Sequence, residues 1–155
     1  MTATSDKLAK AVEAYCVELH RVRACGGATG ERSNYGPLAN LLSGVGATLK
    51  PKVFCVGELA NQGAGHPDFG LYGARQLQRG SPRPGQLPER GVVEVKSAND
   101  DAWLTAAGQQ VSRYWERYRL VLVTNLRSFV LVGEDSGGRP TKLETFQLAA
   151  SAEAF

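Results

Sequence analysis

An acidic and a basic side chain stand together in an apolar, β-rich part of the sequence. Glu94 and Lys96 flank Val95, and side chains two residues apart on a strand point to the same face of a sheet. Isolated buried charges cost several kcal/mol each, so such a pair on a buried strand needs a reason. We expect Glu94 and Lys96 to face a cleft, a metal ion or each other.

A second carboxylate precedes the neighbouring predicted strand. Asp68 follows Pro67, and if the two strands pair, Asp68 and Glu94 converge on one point. Mg²⁺ prefers oxygen ligands in octahedral geometry, so two carboxylates, a backbone carbonyl and water molecules suit it. The pattern predicts an Mg²⁺ site, at which Mn²⁺ is expected to substitute. The alternative is an ordinary surface ion pair between Glu94 and Lys96, which stabilises by only ~0–1 kcal/mol.

The elements that position these residues follow from the hydrophobic pattern. Apolar residues that recur every three or four positions predict helices, and runs of β-branched residues predict strands. The predicted bounds are helices at 5–24, 35–49 and 102–118, strands at 53–59, 66–72, 91–96, 120–124 and 129–132, and a further candidate strand at 143–148. The third helix would bury Leu104 and Ala107. The order ααβββαββ predicts an α/β fold with a central mixed sheet flanked by helices.

Length and composition suit one intracellular domain. The chain has 155 residues, and domains cluster at ~100–150 residues. We expect one domain with a helical region at 5–49, a catalytic core at 52–135 and a C-terminal segment at 141–155 that leads to a following domain. Three cysteines without close pairing favour reduced thiols in the cytoplasm, and no apolar run reaches the ~20 residues of a membrane span. A net charge of +3 permits nucleic acid without demanding it.

The pair Pro67-Asp68 followed by Glu94-Val95-Lys96 resembles the motif of the PD-(D/E)xK nuclease superfamily. The predicted element order is similar to that superfamily's restriction-endonuclease-like core. The resemblance implies an Mg²⁺-dependent endonuclease that hydrolyses DNA phosphodiester bonds to a 5′-phosphate and a 3′-hydroxyl. Asp68, Glu94 and the Val95 carbonyl would hold the metal. Lys96 would orient or deprotonate the attacking water, or neutralise phosphate charge.

The same resemblance assigns three further residues. Gln110 and Tyr114 lie four apart on the predicted third helix and share a face. Some relatives place a glutamine and an aromatic residue there, which implies a catalytic positioning role for Gln110 and DNA contact for Tyr114. An acid from the N-terminal helical region often joins the metal site in this superfamily. Glu31 is the candidate, against the alternative that it is an acid favoured at a helix start by the helix dipole.

The long predicted loop between the second and third strands is rich in arginine. Arg75, Arg79 and Arg83 lie in it among glycines and prolines, and loops of this length are usually functional or disordered. We expect a flexible basic loop beside the cleft that contacts DNA phosphates. The alternative is a solvated loop without a ligand.

Three segments, at residues 31–35, 49–52 and 61–69, resemble the nuclease portion that precedes adenine methyltransferase domains in single-chain restriction–modification enzymes. The resemblance implies double-stranded DNA as substrate and covalently linked methyltransferase and target-recognition domains as partners. Dimerisation would permit double-strand cleavage, and no membrane is involved. Two alternatives stay open: a stand-alone repair or junction nuclease, and a catalytically inactive DNA-binding module of the same fold.

Overall fold

The computed structural model describes residues 2–25 and 31–149, with the side chain of Glu31 left out. The described chain alternates between helices and short strands, as the sequence predicts. The helices are α1 (Ala3–Ala24), α2 (Tyr35–Gly46), α3 (Ala102–Ala106) and α4 (Gln109–Tyr118); the strands are β1 (Val53–Gly57), β2 (Phe69–Gly73), β3 (Leu77–Gln78), β4 (Ser81–Pro82), β5 (Val92–Val95), β6 (Val121–Thr124), β7 (Ser128–Glu134) and β8 (Pro140–Gln147). Short 3-10 helices at Glu31–Asn34 and Ala74–Gln76 precede α2 and β3.

Six of the strands form one mixed sheet in the order β1-β2-β5-β6-β7-β8. Neighbouring strands are antiparallel except β5 and β6, which run parallel. Parallel neighbours need a crossover connection, and α3 and α4 supply it. The sheet and its helices confirm the predicted α/β fold with a central mixed sheet flanked by helices.

Helices cover both faces of the sheet centre. On one face α1 and α2 pack on Phe69, Val93 and Val95. On the other face α3 and α4 pack on Val92 and Val121, among others. A strand covered on both faces is apolar along its length, and in β5 this leaves Glu94 as the one charged residue, only 5% exposed.

The predicted third helix is wrong in one respect, because the structure has two helices there. Asp101 caps α3 by accepting hydrogen bonds from two backbone N–H groups, and Gly108 adopts an extended conformation that starts α4 anew. Because of this break, α3 buries a different face from the one that the sequence pattern predicts. Leu104 is therefore 73% exposed and Ala107 is exposed, whereas Ala102 and Ala106 are buried.

The arginine-rich connection contains regular structure, which its sequence did not predict. Its Ala74–Gln76 turn leads into the small β3–β4 hairpin. The buried Gln76 side chain donates to the Leu87 carbonyl and accepts from the N–H groups of Gly73 and Glu89. One buried amide thus ties together both ends of the connection, as buried polar groups require.

The two ends of the described chain bear on two further expectations. The candidate strand at 143–148 is confirmed as β8, which starts earlier, at Pro140. The last part of the segment 141–155 expected to lead to another domain, residues 150–155, lies outside the described residues. In the part of the chain that the structure describes, no helix is both long and apolar enough to cross a membrane.

Candidate active site

Asp68 and Glu94 lie where the pairing of β2 and β5 ends. The antiparallel register pairs Gly70 with Val92 and Phe69 with Val93. Asp68 directly precedes Phe69 and Glu94 directly follows Val93, so both carboxylate residues lie one position beyond the last register pair. The strands therefore pair as the sequence analysis required, and they bring both carboxylates to the same end of the sheet.

Backbone contacts fix Asp68 at this end. Its N–H donates to the Val93 carbonyl over 3.1 Å, and its own carbonyl accepts from the N–H of Glu58 over 2.8 Å. Asp68 is thus held between β1 and β5 at the last point where the three strands meet. Its side chain is half-buried, so one side of the carboxylate remains accessible to solvent.

Both oxygens of the Asp68 carboxylate accept hydrogen bonds from protein groups. Oδ2 accepts from the backbone N–H of Val95 over 2.7 Å, and Oδ1 accepts from the hydroxyl of Tyr35, the first residue of α2. The N–H and C=O of one strand residue point to the same side. The Val95 carbonyl therefore points past the end of β2, on the side of β5 where Asp68 lies.

Glu94 and Lys96 form a close ion pair beside Asp68. The Lys96 Nζ lies 3.1 Å from Glu94 Oε1, and the lysine side chain is 34% exposed against 6% for the glutamate. The Lys96 N–H donates to the Thr124 carbonyl over 2.8 Å, which fixes its backbone against β6. A buried carboxylate needs such a partner, and the exposed end of Lys96 can still meet a ligand.

The helix α4 brings Tyr114 and Gln110 to the same place. The Tyr114 ring is fully buried, and its hydroxyl accepts a hydrogen bond from Gln110 Nε2 over 2.6 Å. Burial raises the pKa of Tyr114, and the negative charges of Glu94 and Asp68 raise it further. The Tyr114 phenol therefore lies within the field of both carboxylates. Gln110 itself is exposed.

A cleft of about 330 Å³ opens beside Asp68, on the side of α2. Arg32, Tyr35, Glu58 and His66 are among its lining residues. Arg32 and Glu58 approach to 4.0 Å but are both largely exposed, so their attraction is screened by water. The His66 Nδ1 lies within hydrogen-bond distance of the Leu59 carbonyl, at 3.3 Å, so this side chain has a structural contact.

The structure does not bring the three arginines to this cleft. Asp68 precedes the first residue of β2 and Arg75 follows shortly after its last, so the five residues of β2 separate them, a length of ~17 Å at ~3.3 Å per residue. Arg79 and Arg83 lie further along the same connection, in and after the hairpin. Arg75 instead approaches Glu89 to 3.8 Å. The expected position beside the cleft is therefore corrected, and DNA contact by Arg75, Arg79 and Arg83 stays a prediction.

The backbone of Glu31 begins the 3-10 turn that leads directly into Tyr35. This places the turn next to the residue that contacts Asp68. The predicted metal contact concerns the Glu31 side chain, which lies outside the described part of the structure.

The donor groups at this site fit Mg²⁺. Among the described side chains, no group of three or more His, Cys, Asp or Glu residues is arranged to hold a metal ion. Mg²⁺ does not need such a group, because it usually keeps several waters and binds through one or two carboxylates. Asp68, Glu94 and the Val95 carbonyl offer that set, and the Lys96 ammonium keeps the local charge from being purely negative.

Sequence reasoning missed the contact between Tyr35 and Asp68. Tyr35 ends the segment 31–35 that carried part of the resemblance, but nothing in the spacing assigned it a partner. The pairing joins residues 33 positions apart. Only the packing of α2 over the start of β2 shows it.

A six-stranded mixed sheet flanked by helices on both faces is a restriction-endonuclease-like fold. The chain is similar to a chain in the cryo-EM structure of a DrdV–DNA complex, with a TM-score of 0.64 and 19% sequence identity. The similarity covers 91% of this chain and 87% of the other. At this identity the likeness establishes the fold. No protein-family model and no curated protein sequence matches the chain.

Proposed function

We propose that this protein is an Mg²⁺-dependent endonuclease domain that hydrolyses phosphodiester bonds of double-stranded DNA. The observation that carries the proposal is that Asp68 and Glu94 each lie one residue beyond the last register pair of β2 and β5, with Lys96 Nζ 3.1 Å from Glu94 Oε1. The fold agrees with it, since the similar structure is that of a protein in complex with DNA. An inactive module of the same fold would have no need of all three side chains.

Each residue has a defined part in the proposed reaction. Asp68, Glu94 and the Val95 carbonyl would hold Mg²⁺, which when bound polarises the phosphate and lowers the pKa of bound water. Lys96 has Glu94 at its inner side and a partly exposed end, so it can contact the scissile phosphate or the attacking water. In the first role its positive charge offsets charge that develops on the phosphate.

Tyr114 and Gln110 would act from the other side of the site. The Gln110 side chain is exposed, and its Nε2 is engaged by the Tyr114 hydroxyl. Its amide oxygen can then accept a hydrogen bond from the attacking water. We assign Gln110 to orienting that water and Tyr114 to holding Gln110. Because Tyr114 is fully buried, the DNA contact expected of it from the sequence is not part of the proposal.

We further propose that the domain is the cleavage module of a restriction–modification protein, linked to methyltransferase and target-recognition domains. A net charge of +3 is small for a domain that must hold DNA by itself. Isolated, it should bind DNA weakly, with strong salt dependence and little sequence preference. Tight, sequence-selective binding in a titration at two salt concentrations would contradict this and favour a self-sufficient nuclease. Dimerisation is proposed for double-strand cleavage.

The test of the endonuclease is cleavage of supercoiled plasmid with Mg²⁺ or Mn²⁺ by the wild type, Asp68→Asn and Glu94→Gln. Glu144→Gln on the exposed edge strand β8 removes the same charge far from the site and serves as the matched control. For the isolated domain we expect slow nicking by the wild type and the control, because productive positioning supplies much of the rate, and none by the two site variants. Cleavage by Asp68→Asn at the wild-type rate would refute the assignment. DNA binding without cleavage under either metal would favour the inactive module.

A further inference from the structure

The Asp68 carboxylate is held by donors from two different elements. The Val95 N–H of β5 fixes Oδ2, and the Tyr35 hydroxyl of α2 fixes Oδ1. Each carboxylate oxygen has two lone-pair directions, so each oxygen keeps one after these bonds form. Two donors on two oxygens also fix the rotation of the carboxylate about its last bond. The remaining lone pairs of the Asp68 carboxylate therefore have fixed directions before a ligand binds.

The Tyr35 hydroxyl is itself aimed by packing. Its ring lies against the ring of Phe69, with centroids 5.3 Å apart and planes tilted by 48°. Phe69 is buried and directly follows Asp68 in the chain. The buried residues Leu38 and Leu41 anchor α2 below it. The packing of Tyr35 on Phe69 therefore fixes the positions of both Tyr35 and Asp68. A hydrogen bond between side chains that packing holds in place has a well-defined geometry.

We propose that Tyr35 is a positioning residue of the metal site, acting through Asp68. The inference rests on the proposed function, since it assigns a role to a contact of a proposed metal ligand. The Tyr35 hydroxyl presets the Asp68 carboxylate in the orientation that shares a cation with Glu94. Because Tyr35 directly continues the Glu31–Asn34 turn, the same contact holds that turn beside the site.

A purely structural role for the hydroxyl makes a different prediction. If the Tyr35 hydroxyl only satisfies Asp68, its removal changes stability and leaves metal binding as it was. If it positions the carboxylate, its removal weakens metal binding while the fold persists. Hydrogen-bond partners of metal ligands typically contribute 10–100-fold to metal affinity.

The experiment compares Tyr35→Phe with Tyr118→Phe. Both changes delete one phenolic oxygen, and the buried Tyr118 hydroxyl has no hydrogen-bond partner among the described residues. The first readout is a calorimetric titration with Mn²⁺ alone, in the absence of DNA. The second is the Mn²⁺ concentration that gives half-maximal plasmid cleavage. For Tyr35→Phe we expect the Mn²⁺ dissociation constant and the half-maximal Mn²⁺ concentration each to rise at least ~10-fold. For Tyr118→Phe we expect neither to change.

A second variant keeps the proposal testable if Tyr35→Phe proves unstable. Tyr35→4-aminophenylalanine retains an N–H donor at the same place and should restore Mn²⁺ affinity to near the wild-type value. Mn²⁺ binding by Tyr35→Phe equal to that of the wild type would overturn the inference and leave the proposed function intact. A wild type that binds no Mn²⁺ and cuts no DNA would overturn both.

Discussion

Tyr15 and Tyr118 are two buried tyrosines in which the same substitution has opposite expected effects. The Tyr15 hydroxyl donates to the Leu126 carbonyl over 2.7 Å and so ties α1 to the turn between β6 and β7. The Tyr118 hydroxyl is buried in α4 without a partner among the described residues. Replacement by phenylalanine deletes one oxygen in each case and changes the packed volume equally.

The magnitude follows from what each deletion leaves behind. Tyr15→Phe strands the Leu126 carbonyl in a buried place, which costs ~1–3 kcal/mol. The entropy of unfolding of a 155-residue protein is roughly 0.3 kcal/mol per kelvin at about 2.1 cal/mol/K per residue, so the melting temperature should fall by ~3–9 °C. Tyr118→Phe removes a buried hydroxyl that makes no hydrogen bond with the described residues, so no hydrogen bond is lost. It should leave the melting temperature unchanged or raise it by up to ~3 °C.

The assay is thermal unfolding of both variants and the wild type by circular dichroism at pH 7. Burial raises the pKa of both Tyr15 and Tyr118 above the ordinary value of 10. Both phenols are therefore neutral at this pH, and a difference between the variants reports hydrogen bonding rather than charge. Equal losses of melting temperature in the two variants would refute the reasoning.

Three further predictions concern the rest of the domain. Burial raises the pKa of the Cys55 thiol to about 12, so its reactive thiolate is scarce at pH 8. A disulfide reagent should therefore label exposed Cys25 long before Cys55, and equal rates would contradict this. Gly91→Ala should lower the denaturation midpoint far more than Gly80→Ala. Both glycines have positive φ, but only at Gly91 would an added Cβ meet a backbone carbonyl oxygen, at 2.4 Å. Leu104→Ser should change the free energy of unfolding by less than ~0.5 kcal/mol, and a loss of several times that would show that this exposed side chain is packed in solution.

The sequence predicted the sheet and its helices because their signals are local. The apolar runs of β5 and β6 need cover on both faces, and the repeats in α1 and α2 leave one apolar stripe each. The break between α3 and α4 escaped prediction, because Leu104 and Ala107 continue a helical period that the backbone does not follow. Gly108 was the signal, since glycine is unfavourable in a helix interior and weakens a helix that would continue through it.

The candidate site was predictable as far as strand alternation and pairing reach. Those rules put Glu94 and Lys96 on one face of β5 and, if β2 and β5 pair, Asp68 near them. In the structure Lys96 contacts Glu94, and β2 pairs with β5 as far as Phe69 and Val93. Strand alternation and pairing do not show which helix packs near a strand end, so the sequence did not predict the contact between Tyr35 and Asp68. The misplacement of Arg75 has the same origin: composition marks a basic loop, but only the strand direction shows which end of the sheet it leaves.

The alternation of side chains along β5 limits how the length of this chain can vary. Val93 and Val95 enter the apolar layer under α1 and α2, whereas Val92 and Glu94 face α4. Inserting or deleting one residue within the strand would exchange the two faces. It would drive the carboxylate into the apolar layer and turn a valine toward Asp68. Length differences among descendants of this sequence should therefore accumulate in the connections, and the stretch from Gly91 to Lys96 should keep a constant number of residues.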